Sequence, residues 1–252
     1  MSVPDFLPYY VLIGTAGIIC VILRGLHLAL VRAAWSREER VRTVRTAAII
    51  LVGWLAAAYA LGAAGTFHTT ANDIPTIQYG ILVPILIGAL LLWRSPLVAR
   101  IIDAVPQHWL VGVQLYRALG IIFLILYASG KLPGLFAWPA GVGDILVGVL
   151  APVVALSYVR NPFKNGNLVF AWNTFGIADL IVAVTAGFVS APSLLQPFAV
   201  EPPNELVMLF PLVLIPIYLV PLSVLLHLTS LTKLRRTNAQ LQRQREPITA
   251  SI

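Results

Sequence analysis

Seven stretches of this sequence are continuously apolar for long enough to cross a lipid bilayer. They run at about residues 9–31, 46–66, 77–93, 109–129, 141–158, 168–190 and 205–231. A helix needs roughly 17–25 mostly apolar residues to span the hydrocarbon core. Together the stretches take up 150 of the 252 residues, and no segment between two of them exceeds 15 residues, so little chain is left for a soluble domain. Charged residues make up 11% of the chain, whereas a soluble domain usually carries about 25%. That excludes a soluble enzyme, a disordered chain and a collagen-like fibre. The apolar runs do not alternate with polar residues, which excludes a transmembrane barrel. The expected fold is an all-α polytopic transmembrane bundle of seven helices over residues 1–232, followed by a basic tail over 233–252. The single cysteine, Cys20, excludes an intramolecular disulfide and argues against a Cys-based zinc or iron–sulfur site.

Orientation follows from the basic residues. Arg32, Arg37, Arg40, Arg42 and Arg45 follow the first span, and Arg94 and Arg100 follow the third. Arg160 and Lys164 follow the fifth, and Lys233, Arg235, Arg236, Arg243 and Arg245 follow the seventh. The other loops hold only Lys131. The positive-inside rule then predicts the N-terminus outside and the C-terminus in the cytoplasm. Residues Met1–Pro8 carry Asp5 and no Lys or Arg, so the first span is expected to be retained and not cleaved as a signal peptide. The net charge of +7 reads mainly as a topology signal attracted to anionic lipid. The tail has no aromatic residues to stack on bases, so no nucleic-acid partner is expected.

Several smaller elements are legible. Ser36–Arg45 interleaves opposite charges and reads as a solvated loop or a surface helix. Ser95 and Pro96 suit the N-cap and first position of a short interfacial helix over 97–105. Residues 130–141 read as an apolar outer loop with Phe136 and Trp138 at headgroup depth, and 190–205 as a proline-rich outer loop. In the seventh span Pro211, Pro216 and Pro221 recur every five residues. Each removes a backbone donor, and broken spans of this kind line substrate sites in many transporters. They are the candidates for a kink or gate.

Six ionisable residues stand out within the spans: Arg24, His27, Arg117, Asp144, Asp179 and His227. Such groups are costly in lipid and usually face a protein interior with partners. Arg117 is expected to pair with Asp179 or Asp144, either as structural glue or as part of a solute or proton path. The segments GVGDILVGVLA (141–151) and GIADLIVAVTA (176–186) echo each other, each with an aspartate three residues after a glycine. Gly141-Val142-Gly143-Asp144 spells GxGD and so resembles the element of intramembrane aspartyl proteases. No tyrosine precedes Asp179, however, and no PAL-type signature is present. HExxH, GxSxG, P-loop and GxGxxG motifs are absent, so enzymatic activity is not expected. Seven spans also suggest a rhodopsin, but the seventh has no lysine for a retinal Schiff base.

His27 and His227 lie at similar depths in the first and last spans. Two neutral imidazoles there can ligate a b-type haem or a transition metal, with Arg24 near a propionate. Three functions are therefore expected in rank order. The first is transport or binding of a small solute, anionic or proton-coupled, with Arg24 and Arg117 attracting it and Asp144 and Asp179 exchanging a proton; this one needs no cofactor. The second is a haem- or metal-binding membrane protein. The third is a membrane sensor or assembly factor. The expected partners are the lipid bilayer, a small solute and a second copy of the chain. The expected location is a bacterial plasma membrane.

Overall fold

The computed structural model describes residues 3–194, 196–197 and 199–249, and the side chains of these as far as residue 240. The side chains of Arg243 and Arg245, and the end of the tail, lie outside the described residues. Among the described residues all regular structure is helical: α1 (Leu7–Arg32), α2 (Arg37–Ala63), α3 (Ile77–Arg94), the short α4 (Pro96–Ala104), α5 (Gln107–Ala128), α6 (Gly134–Arg160), α7 (Pro162–Ser190) and α8 (Val220–Thr249). Seven helical segments among the described residues are long and apolar enough to cross a membrane: α1, α2, α3, α5, α6, α7 and Ile215–Gln240. The last joins a one-turn π-helix, Ile215–Leu219, to α8.

The outward faces fit this reading. Ile13, Ile49, Leu86, Leu156 and Ile181 are each more than half exposed. A soluble monomer rarely displays large contiguous apolar surface, whereas lipid is its natural solvent.

Helix ends follow local chemistry. Ser36 accepts from the Glu39 backbone N–H at 3.2 Å, and the Glu39 carboxylate accepts from the Ser36 N–H at 3.3 Å. This reciprocal capping box starts α2 at Arg37, so the interleaved charges of 37–45 are its first turns. Ser95 caps α4 and Pro96 opens it. Asn161 caps α7 through the Lys164 N–H at 3.1 Å. Besides the earlier starts of α2 and α7, expected boundaries move at two further places. Residues 134–140, read as outer loop, are helical and belong to α6. Residues 205–213, read as the start of the seventh span, form only a 3-10 turn at Leu206–Met208 and further turns. Pro211 and Pro216 remove backbone donors there and crowd the preceding turn, and regular helix resumes only past the widened π turn.

The two ends of the bundle differ. At the proline-rich end the α2–α3 and α7–α8 connections bind each other: Thr69 donates to the Pro192 carbonyl at 3.0 Å, and the Leu194 N–H to the Asp73 carbonyl at 3.0 Å. At the basic end Arg236 on α8 forms a forked ion pair with Asp103 on α4, at 2.8 and 2.5 Å, and Lys233 donates to the Asp103 carbonyl at 2.7 Å. The Arg236 hydrogen bonds hold the Asp103 carboxyl below the usual carboxylate range. The lowered value means the pair stabilises the fold above the ordinary carboxylate range and is lost as pH falls through that lowered value. Both partners are well exposed, so the pair is worth under about 1 kcal/mol. In thermal melts, the small difference between wild type and Asp103→Asn should stay flat from pH 8 to 5. It should shrink in more acidic buffer and in high salt.

Inside, α6 packs along both α5 and α7. A Cβ at Gly148 of α6 would collide with the backbone of Ala118 on α5, so only glycine permits this approach. The main apolar core joins α1, α5, α6 and the π turn. Tyr218 of that turn is fully buried, lies tilted against Trp54 with ring centroids 4.4 Å apart and donates to the Leu51 carbonyl at 3.0 Å. It thereby ties the π turn to α2.

Candidate functional site

The middle of α5 departs from α-geometry over Val113–Gly120, which forms a 3-10 helix of 8 residues. Such runs rarely exceed 3–4 residues, and a mid-helix stretch often marks a functional hinge. With 3.0 residues per turn, positions three apart eclipse one another. Gln114, Arg117 and Gly120 therefore form one straight inward row, and all three are buried.

Arg117 sits at the centre of this row with its side chain 1% exposed. Its Nε donates to Asp144 Oδ1 on α6 at 2.7 Å, and Nη2 lies 2.7 Å from the same oxygen. Nη2 also donates to Asp179 Oδ2 on α7. Nη1 donates to the Gly176 carbonyl at 3.1 Å and faces His227 Nε2 on α8 at 3.3 Å. All three guanidinium nitrogens are thus engaged by three helices. The echo between the two GxxD segments now has a spatial counterpart, because each contributes one carboxylate to a single arginine. Gly143, beside Asp144, leaves the space that the Asp179 carboxylate fills.

Arg117 has only donors to offer, so His227 Nε2 accepts and the ring proton lies on Nδ1. That nitrogen donates to Asn173 Oδ1 at 2.9 Å. Asn173 Nδ2 donates in turn to the Val169 carbonyl at 2.8 Å and to Ser230 Oγ at 2.9 Å. Ser230 Oγ also accepts from Gln107 Nε2 at 2.6 Å. A continuous polar column therefore runs from the ion cluster to Gln107, the first residue of α5 at the basic end. His227 is fully buried, with the Trp172 ring 5.1 Å away between centroids. A second branch links Tyr116 Oη to Ser223 Oγ at 2.6 Å and Gln114 Nε2 to the Ser223 carbonyl at 3.1 Å.

Two cavities meet at the cluster. One, of about 50 Å³, lies against α1 and is lined by Tyr10, Thr15, Tyr116, Arg117, Asp144 and Ser223 among others. The other, of about 60 Å³, is largely apolar and runs from Thr69, Pro75 and Asn204 at the proline-rich end down to Asp144. Phe123, Asp144, Leu180, Ile215 and Val220 line both. A cavity needs only about 10–15 Å³ of such volume per water molecule, so each has room for a small group.

The structure brings Arg117, Asp144, Asp179 and His227 together. Arg24 is exposed on α1, and His27 is half-buried on the same helix. Among the described residues, no hydrogen bond, ion pair or ring contact joins either to the cluster. Both ring nitrogens of His227 already have partners, and no group of three or more His, Cys, Asp or Glu among the described residues can hold a metal ion. Pro216 lines the apolar cavity, while Pro211 lies before the π turn and Pro221 in the first turn of α8. Sequence reasoning missed Gln107, Gln114, Asn173, Ser223 and Ser230. Their signal was a neutral polar side chain within an apolar span.

No curated protein and no solved structure matches this chain. A family model, described only as a domain of unknown function, matches residues 74–235. The match takes in every member of the ion cluster and of the polar column, and leaves out α1 and α2.

Proposed function

The chain belongs to that family, DUF8737, and from this premise we propose that it binds and transports a small solute, with proton exchange, through its bundle core. The observation that carries the reading is the charge balance around Arg117. Two carboxylates share one guanidinium and His227 is neutral, so one negative charge is in excess. A buried charge is costly unless matched, and the match here is a proton or a solute cation. The guanidinium has no nitrogen left for an anion, and Arg24 is elsewhere. This favours a cation over the anion that the arginines alone suggested.

The cavities give the solute a route to the cluster from the proline-rich end. On the positive-inside rule that end faces outward, with the N-terminus outside, the tail in the cytoplasm and the protein in a bacterial plasma membrane. The polar column from Arg117 to Gln107 closes the opposite half. The 3-10 stretch of α5 and the π turn before α8 flank the cluster and supply the hinges. Ligation of haem or a metal by His27 and His227 has less behind it, because His227 spends both nitrogens on Arg117 and Asn173.

The test is proton flux in reconstituted vesicles carrying an entrapped pH dye, challenged with small organic cations, anions and neutral solutes in turn. At least one class should shift the internal pH with wild-type protein, and Asp179→Asn should slow that response at least tenfold. A protein that moves protons with no class of solute would overturn the reading.

A further inference from the structure

The two cavities meet at one carboxylate, and its surroundings specify a chemistry. Resting on the solute-transport reading above, we propose that this meeting point binds a small hydrophobic ammonium ion. Its charged head sits on Asp144 Oδ2 and Thr15 Oγ1, and its apolar body lies in the cavity toward the proline-rich end.

The acceptors come first. Asp144 Oδ1 is occupied by Arg117, but no donor among the described residues reaches Oδ2. The Asp144 side chain is 17% exposed, against 8% for Asp179 and 1% for Arg117, and of the two carboxylates it is the one that lines both cavities. Thr15 is fully buried on α1, lines the same cavity, and its Oγ1 has no hydrogen-bond partner. A threonine in a helix ordinarily bonds back to the preceding turn, and a buried hydroxyl without a partner costs about 1–3 kcal/mol. A ligand N–H supplies what both oxygens lack.

The rest of the wall agrees. Tyr10, Tyr116 and Phe123 line this cavity, and aromatic faces attract organic cations. A bare metal cation would want six or more oxygen ligands, which the lining does not offer. Beyond Asp144 the second cavity is walled by Phe136, Ala140, Ala183 and Val184, which suits an aliphatic or aromatic body. The ionisable groups around Asp144 are Tyr10 from α1, Tyr116 and Arg117 from α5 and Asp179 from α7, with His227 of α8 behind Arg117. With Asp144 ionised, it and these groups sum to one negative charge, which the ammonium cancels. As it binds, the carboxyl O–H breaks, its proton leaves to solvent, and an N–H of the ammonium takes its place on the oxygen.

The experiment uses the full chain in lipid nanodiscs and titrates hexylammonium, hexanol and hexanoate by calorimetry in two buffers of different ionisation enthalpy. Hexylammonium should bind saturably with release of about one proton, and the other two should not. Asp144→Asn should weaken it at least tenfold. That variant leaves Arg117 and Asp179 as a neutral pair, and its melting curve verifies that it folds. Thr15→Val, which keeps the side-chain shape, should weaken binding at least threefold. Undiminished binding in both variants would overturn the proposal. Saturable hexanoate or hexanol binding, lost in the same variants, would overturn the ammonium class while leaving a solute site in the core. Absence of binding by all three would also overturn it, and the transport reading would then stand or fall on the vesicle panel alone.

Discussion

Arg117→Ala should prevent the protein from accumulating in a folded form. The substitution leaves the Asp144 and Asp179 carboxylates facing each other without a cation and strips His227 Nε2 of its donor. Breaking a buried ion pair from one side costs about 3–5 kcal/mol, and here one deletion breaks two pairs. Size-exclusion profiles of a fluorescent fusion should show aggregate in place of a monodisperse peak. Arg117→Lys should recover only part of the loss, since one ammonium cannot reach partners on three helices. The decisive arm is neutralisation. Arg117→Met combined with Asp144→Asn and Asp179→Asn should restore a monodisperse peak, because a buried ion cluster can be replaced by uncharged residues at little cost. A well-behaved Arg117→Ala would show that the cluster does not hold α5, α6 and α7 together.

The second large effect is steric. Gly148→Val should lower the thermal midpoint sharply, because its side chain would meet the Ala118 backbone, which has no rotamer to escape into. Overpacking of this kind costs about 1–3 kcal/mol and occasionally more, and it would lever α6 away from the helix that carries Arg117. Gly53→Ala is the control. A Cβ there meets nothing within 4 Å, so the higher helix propensity of alanine should leave the melt unchanged or slightly raised. Gly148→Ala should fall between the two. Equal melting of Gly148→Ala and Gly53→Ala would contradict the close approach of α5 and α6.

Much of this architecture is legible in the sequence because the bilayer is an unforgiving solvent. An apolar run such as 109–129 has few alternatives to a spanning helix. A charge within it, such as Arg117, needs a partner, so Arg117, Asp144 and Asp179 stand out together. Other features carry no comparable penalty and left weaker traces. Asn173 and Gln114 are neutral, so nothing in their cost marks them, although Gln114 stands three residues before Arg117 and shares its inward row. The 3-10 and π segments change hydrogen-bond register without changing composition. The start of α2 was legible in Ser36 and Glu39, whose spacing is that of a capping box, yet the charges after it masked the helix as a solvated loop. Arg24 and His27 satisfy the same rule as Arg117 and still lie apart from the cluster, since the identity of a residue does not say which side of a helix faces a neighbour.

The 3-10 stretch of α5 also has a mechanical consequence. A 3-10 helix rises about 2.0 Å per residue against 1.5 Å in an α-helix, and turns about 120° per residue against 100°. Over the 8 residues of Val113–Gly120, rewinding to α would shorten α5 by about 4 Å and rotate one end against the other by roughly 160°. Gln107 and Arg117 could not then both keep their present partners. The length of one helix and the pairing of one arginine are thus a single variable, and any displacement of the charge is at the same time a change in the height of α5.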